Sequence, residues 1–174
     1  MSTEGFGEPQ GGGPMGNDRR RDRLVAAAGR IRAAAPLLAD EALTDPDPDT
    51  GERWDRRQVL AHVAEMLSYW AEQVELVAAG DEVPFGRAVS NPQRIAAIER
   101  DRREDPSRLL DRVDEGLGVV LALLDRLDDD ALAHSGRHQV LGEMTVAAIV
   151  DRFLVDHLEE HADQLELHRR GGDG

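Results

Sequence analysis

Two histidines four residues apart, His157 and His161, are the residues of this sequence best suited to chemistry. They lie in the stretch DHLEEH (156–161), and a helix presents residues i and i+4 on one face. One helix can therefore offer both imidazoles to a single ion. The same face carries apolar residues, which directs it toward the protein interior. They are Ile149, Val150, Phe153 and Leu154.

A third histidine, His62, has similar surroundings, because it lies between Val59 and Met66 in an apolar stripe of helical period. A lone histidine on such a face is more often a hydrogen-bonded core residue than a ligand. Burying three imidazoles without a shared partner would, however, cost on the order of several kcal/mol. A shared ion removes that cost, so we predict that His62, His157 and His161 bind one divalent metal.

A competing motif overlaps the histidine pair. HLEEH matches the H-x-x-E-H pattern of inverted zinc metalloproteases, in which Glu160 would be the general base. Those enzymes take a further carboxylate ligand from much later in the chain, and only a short segment follows His161 here. We therefore expect Glu159 and Glu160 to belong to a solvated helix face.

Four segments show helical periodicity, and no stretch shows convincing strand alternation. The first ends before the break TDPDPDTG, the second opens at Asp55, and the last opens at Thr145, where Asp and Thr are good N-cap residues. Gly116 and Gly118 weaken the third helix but allow close packing. The pattern predicts an all-α four-helix bundle with long crossing loops. The segments are residues 18–40, 55–80, 107–127 and 145–171, with a shorter helix over 92–104.

Composition and charge limit the partners and the compartment that we expect. The 174 residues are enough for one domain with a real core, and 40% hydrophobic with 32% charged residues is the balance of a globular chain. A net charge of −14 repels phosphate backbones and anionic lipids, so neither nucleic acid nor membrane is an expected partner. No apolar run reaches the length of a signal or membrane segment, so we expect a cytoplasmic protein.

Cysteine is absent, so any reactive thiol must come from outside the chain. Lysine is also absent, and with the Ala, Asp and Gly content this indicates a GC-rich bacterial gene.

Taken together, WDRRQVLAHVAEM (54–66) and MTVAAIVDRFLVDHLEEHADQLE (144–166) resemble the DinB/YfiT-like superfamily, and most closely its mycothiol-dependent maleylpyruvate isomerase branch. The resemblance implies one up-down-down-up bundle domain over residues 18–170, between a flexible Gly/Pro-rich tail (1–17) and a short tail (171–174). It also implies the same metal triad, with Zn²⁺ as the first choice and Ni²⁺ as the second.

For function, the resemblance implies an S-transferase or isomerase that uses a low-molecular-weight thiol, here mycothiol, on a small electrophile. Asp156, Glu160 or Glu65 would orient the imidazoles. The alternative is a non-catalytic metal-bound bundle, either structural or a stress-associated dimer that binds a partner. A homodimer is the assembly that the family leads us to expect.

The remaining candidates are weaker. His134 and His138 fall in the second crossing loop, where we predict exposure to solvent, with a role at the mouth of the pocket as the alternative. His168 falls near the last helical turn and has no predicted role in the site. Tyr69 and Trp70 are predicted to be core or dimer contacts, with the alternative that an aromatic near the open metal position lines a substrate pocket.

Overall fold

The computed structural model describes residues 16–38, 42–46, 51–80 and 82–171, with side chains described as far as residue 167. The predicted tails lie almost wholly outside this range, as do the middle of the TDPDPDTG break and the side chain of His168. Within it, four long helical segments form the predicted bundle. The helices are α1 (Asn17–Ala34), α2 (Arg56–Ala78), α3 (Pro92–Asp101), α4 (Pro106–Leu124), α5 (Asp129–Ala133), α6 (Val146–Ile149) and α7 (His157–Gly171).

The last long segment is continuous but not uniform. A π-helical stretch, Val150–Asp156, joins α6 to α7, and we call the three together the final helix. The first long segment ends in a short 3₁₀ turn, Ala35–Leu37, directly after α1. The sequence period predicted ordinary α-helix through both regions.

Capping residues fix where the helices begin. The Asp55 side chain accepts from the Gln58 backbone N–H while the Gln58 side chain accepts from the Asp55 N–H, which forms a capping box. Thr145 accepts from the Ala148 backbone and starts the final helix. Both predicted starts are confirmed. The start of α4 is one residue earlier than predicted, because Asp105 caps the helix and Pro106 takes its first position.

The two long connections contain a small sheet that the sequence did not predict. Its strands are β1 (Val83–Phe85), β2 (Ser135–His138) and β3 (Gly142–Thr145), in the order β1-β2-β3. β1 runs parallel to β2, and β2 runs antiparallel to β3. Strands of three or four residues are too short to show an alternating pattern. The sheet ties the α2–α3 connection to the segment that leads into the final helix.

α2 is the central element of the core. It packs against α4, α3, β1 and the final helix, so it carries buried apolar residues on several sides. Leu60, Met66 and Leu67 are fully inaccessible to solvent. Each such side chain stabilises the fold by about 1.5–3 kcal/mol relative to exposure. Among the described residues, no helix is both long enough and apolar enough to cross a bilayer.

A series of arginine–carboxylate pairs joins α1 to the final helix. Arg20 is almost completely buried and donates to both oxygens of Asp151, at 2.7 and 2.9 Å. Further along, Arg23 contacts Asp156 and Glu159, and Arg30 contacts Asp163 and Glu166. These pairs fix α1 on the outer side of the final helix and leave the opposite side facing α2.

The two glycines of α4 have different surroundings. A Cβ at Gly116 would lie 3.0 Å from the Cβ of Leu67 on α2, so the predicted close packing is confirmed there. A Cβ at Gly118 would meet nothing within 4 Å, so the same prediction is wrong for Gly118.

We expect Gly118→Ala to raise the free energy of unfolding by about 0.5–1 kcal/mol, because alanine favours helix and the position is open. Gly116→Ala should gain less or lose stability, since Leu67 would have to move. Urea unfolding of the two variants beside the wild type measures the difference. Equal increases in the free energy of unfolding at both positions would show that the Leu67 side chain moves aside at no cost in stability.

Candidate metal centre

The structure brings the three predicted histidines together. His62 comes from α2, and His157 and His161 come from the first two turns of α7. One ring nitrogen from each lies within 4.8 Å of the others, and the Nε2 atoms of His62 and His157 are 3.1 Å apart. Two nitrogens bound to one tetrahedral Zn²⁺ lie roughly 3.3 Å apart at ordinary bond lengths. The spacing therefore suits a single ion, while metal binding itself stays a prediction.

The π-helical stretch ends immediately before His157. A π turn includes one more residue than an α turn, so it changes which upstream residues face α2 while His157 and His161 keep their i, i+4 relation. Such stretches occur often at functional sites. No periodicity argument based on an ordinary helix could have located it.

His62 is held in the neutral form that binds metals. It is buried, and this burial lowers its pKa well below the usual range. The pKa is lowered further by the neighbouring imidazoles of His161 and His157. The positive charges of Arg94 and Arg87 add a smaller effect in the same direction. Its Nδ1 atom is buried and has no hydrogen-bond partner among the described residues. This Nδ1 lies on the other side of the ring from the Nε2 that faces His157, so the fit to an ion rests on the spacing of the Nε2 atoms and not on this group.

Two neighbours orient the rings, and neither was predicted from the sequence. The Nδ1 of His161 lies 2.9 Å from Oε1 of Gln164, so an Nδ1–H donates to the amide oxygen and Nε2 is the ligand atom. The Trp54 ring packs edge-on against the ring of His62, with 5.2 Å between centroids. Gln164 could have been found, because i and i+3 are neighbours on a helix.

The three candidate carboxylates lie in different places. Asp156 pairs with Arg23 of α1, at 2.9 Å, on the outer side of the final helix. Glu160 is exposed. Glu65 lies one turn beyond His62 on α2 with a side chain only 13% exposed, and its Oε2 atom is buried without a hydrogen-bond partner in the described part of the chain.

An arginine from the connection after β1 holds Glu65. The guanidinium of Arg87 donates to Oε1 of Glu65, and its Cζ lies 3.7 Å from the centroid of the Tyr69 ring. Tyr69 is half-buried and packs against the core, as predicted, and its ring also contacts the Arg87 guanidinium. A lone arginine in a long loop gave no signal in the sequence.

The predicted exposure of His138 is wrong. It belongs to β2, is only 6% exposed, and its Nδ1 accepts from the backbone N–H groups of Val140 and Leu141 at 3.2 Å each. Its ring stacks on Phe153, which stacks on Trp70 with centroids 3.9 Å apart. Trp70 is a core residue, as predicted. His134 is partly buried just before β2, and neither His134 nor His138 belongs to the triad cluster.

Comparison with known proteins agrees with the fold described above. The family model for the DinB superfamily matches residues 18–165. YfiT from Bacillus subtilis, described as a probable metal-dependent hydrolase with an unusual four-helix bundle topology, superimposes with a TM-score of 0.74 at 22% identity, over 96% of this chain and 94% of that one. The predicted DinB-like bundle is confirmed.

Two other solved structures share the fold. A mycothiol-dependent maleylpyruvate isomerase matches with a TM-score of 0.62 at 13% identity, over 90% of this chain but 60% of that chain. The colibactin self-resistance protein ClbS, solved with a double-stranded DNA, matches with a TM-score of 0.63 at 10% identity, over 88% of this chain and 95% of that one. No curated protein matched the sequence. At these identities the likeness establishes the fold alone.

Proposed function

The chain belongs to the DinB superfamily, and on that premise we propose that it is a metal- and thiol-dependent transferase or isomerase that acts on a small electrophile. His62, His157 and His161 would hold one divalent ion, Zn²⁺ or Ni²⁺. The observation that carries the proposal is the convergence of three imidazoles on one point in a chain that has no cysteine.

The residues present fit such an ion. Three neutral nitrogens are the protein ligand set of a catalytic centre that keeps a position open, and the low pKa of His62 keeps its nitrogen unprotonated. When bound, the ion would lower the pKa of a thiol or water at that position. Because the chain supplies no thiol, a cosubstrate must, and mycothiol fits the GC-rich bacterial coding.

Glu65 is the residue that would accept the thiol proton. Its Oε2 atom is buried and accepts no hydrogen bond from the described residues, while Arg87 fixes the other oxygen. A carboxylate held in this way can take a proton at Oε2 without rotating. The edge of Trp54 against His62 helps to exclude water from the same region.

The test is a titration of the cobalt-substituted protein with mycothiol, followed by absorption spectroscopy and calorimetry. We expect a thiolate charge-transfer band, release of about one proton per site as Glu65 passes the thiol proton on to solvent, and no binding to the metal-free protein. The S-methyl derivative of mycothiol is the matched control, because it has no proton to lose and should give no band.

A metal-bound protein whose spectrum does not respond to thiol would instead support the non-catalytic bundle, in which the ion has a structural role. That the protein acts in the cytoplasm as a homodimer, without a nucleic acid or membrane partner, stays a prediction from the sequence.

A further inference from the structure

His138 is a buried histidine outside the triad cluster. It is the last residue of β2, and its Nδ1 accepts from the backbone N–H groups of Val140 and Leu141, at 3.2 Å each. Both donors belong to the turn between β2 and β3 (139–141). Because Nδ1 is an acceptor, the ring proton is on Nε2. That Nε2 atom is buried and has no hydrogen-bond partner within the described ranges.

The hydrogen bonds of Nδ1 distinguish His138 from an ordinary apolar core residue. Its ring stacks on Phe153 and meets the edge of Phe85, with centroids 5.5 and 5.3 Å away. A phenylalanine ring could make the same contacts and would leave no N–H buried without a partner. Burial lowers the pKa of His138, and the positive charge of Arg152 lowers it further, so the ring stays neutral and Nδ1 remains an acceptor.

The turn that His138 fixes contacts the backbone of Gly86, directly after β1. The side-chain amide of Gln139, in the turn, donates to the Gly86 carbonyl at 3.0 Å. From the other side, the Gly86 N–H donates to Oε1 of Gln73 on α2 at 2.8 Å. Gly86 has a φ of 81°, and a Cβ there would lie only 2.6 Å from Nε2 of His138, so no larger residue fits. The turn, α2 and the edge of the imidazole together hold the backbone at this point.

Arg87 is the next residue, and it connects this backbone to Glu65. Its guanidinium donates to Oε1 of Glu65, and its Cζ lies 3.7 Å from the centroid of the Tyr69 ring. The side chains of Arg87 and Glu65 are each only 13% exposed. The backbone conformation of Gly86 sets the direction in which the Arg87 side chain leaves the chain. A shift of Gly86 would therefore move the guanidinium away from Glu65.

We propose that His138 is a positioning residue for Glu65 and acts on it through the turn and Arg87. The two hydrogen bonds that Nδ1 accepts fix the turn, and Gln139 of the turn fixes Gly86. Gly86 in turn keeps the Arg87 guanidinium on one oxygen of the Glu65 carboxylate, which leaves the other oxygen as the proton acceptor. The effect on proton transfer rests on the proposed function, whereas the position of Arg87 does not.

The test uses the single tyrosine of the chain, because a ¹³C-labelled tyrosine ring gives NMR signals from Tyr69 alone. Arg87→Gln supplies the reference spectrum of the ring without the guanidinium. His138→Phe keeps an aromatic ring but loses the acceptor, and we expect it to shift the Tyr69 signals toward that reference. His138→Asn loses the ring but places an amide oxygen near the position of Nδ1, so its signals should stay close to those of the wild type. Val140→Ala, which removes an exposed side chain of the turn and keeps its N–H, is the matched control.

Unchanged Tyr69 signals in folded His138→Phe would overturn the proposal. Equal shifts in the phenylalanine and asparagine variants would also overturn it, since the aromatic stack and not Nδ1 would then hold the region. If His138→Phe does not fold, Gln139→Ala decides, because it removes only the bond from the turn to Gly86. A shift toward the Arg87→Gln reference would then support the proposal, and no shift would refute it.

A second measurement separates this proposal from the proposed function. In the cobalt-substituted protein, His138→Phe should slow formation of the thiolate band with mycothiol by about tenfold or more while the metal content is unchanged. If the protein takes up no metal or shows no band with thiol, the proposed function fails, and the Tyr69 signals still decide whether His138 positions Arg87. If the Tyr69 signals shift but the band forms at the wild-type rate, His138 positions Arg87 without any effect on Glu65, and the proposal is wrong.

Discussion

Replacing His157 and His161 together by alanine is expected to abolish metal binding, from about one ion per chain to none. The two imidazoles supply two of the three ligand atoms that lie within 4.8 Å of one another. A single remaining nitrogen, His62, cannot hold the ion. Since even partners outside the ligand set change metal affinity by about 10–100-fold, the loss of two ligands should exceed 100-fold. Mass spectrometry of tag-free protein after loading and dialysis measures the result.

Two further variants make this experiment specific. His134→Ala removes a histidine outside the triad cluster and should keep the full metal content. Gln164→Ala removes the partner of the His161 Nδ1 and should weaken the metal by about tenfold without abolishing binding. If the wild type takes up no ion from any divalent salt, the three imidazoles are core histidines.

The triad could be predicted because its signal is local. The i, i+4 relation of His157 and His161 does not depend on tertiary structure, and the stripe around His62 on α2 showed that it faces inward. The helix starts at Asp55 and Thr145 were predictable for the same reason, since a cap uses only residues within three positions.

The features that the sequence did not predict depend on where the long connections run. β1 and β2 pair residues that are 53 positions apart in the sequence, such as Val83 and Gly136, and strands of three or four residues leave no periodic trace. Pairing with β1 and β3 buries His138, which the sequence placed in a solvated loop. The position of Arg87 over Tyr69 follows from the same β1 pairing and was invisible beforehand. Predictions from local sequence patterns therefore failed for the residues that the long connections bring to the site.

The second large effect is expected from Glu65→Gln. We predict that it slows formation of the thiolate band, in stopped-flow mixing of the cobalt-substituted protein with mycothiol, by about 10²-fold or more. Glutamine has the size of glutamate but cannot take the proton at Oε2, so the thiol proton must leave through solvent. Metal content should be unchanged, because Glu65 is not one of the clustered ligands.

Two control variants are needed to interpret a slow Glu65→Gln variant. Glu72→Gln removes the same charge from an exposed position of α2 and should leave the rate within about twofold. Glu65→Gln also weakens the contact with Arg87, so an Arg87→Lys variant tests whether that contact alone sets the rate. If Arg87→Lys is equally slow while Glu65 is intact, Glu65 is a structural anchor for the arginine. If only Glu65→Gln is slow and the metal is retained, the Glu65 carboxylate is the proton acceptor. Removing this carboxylate is then the only one of the three changes that slows loss of the thiol proton.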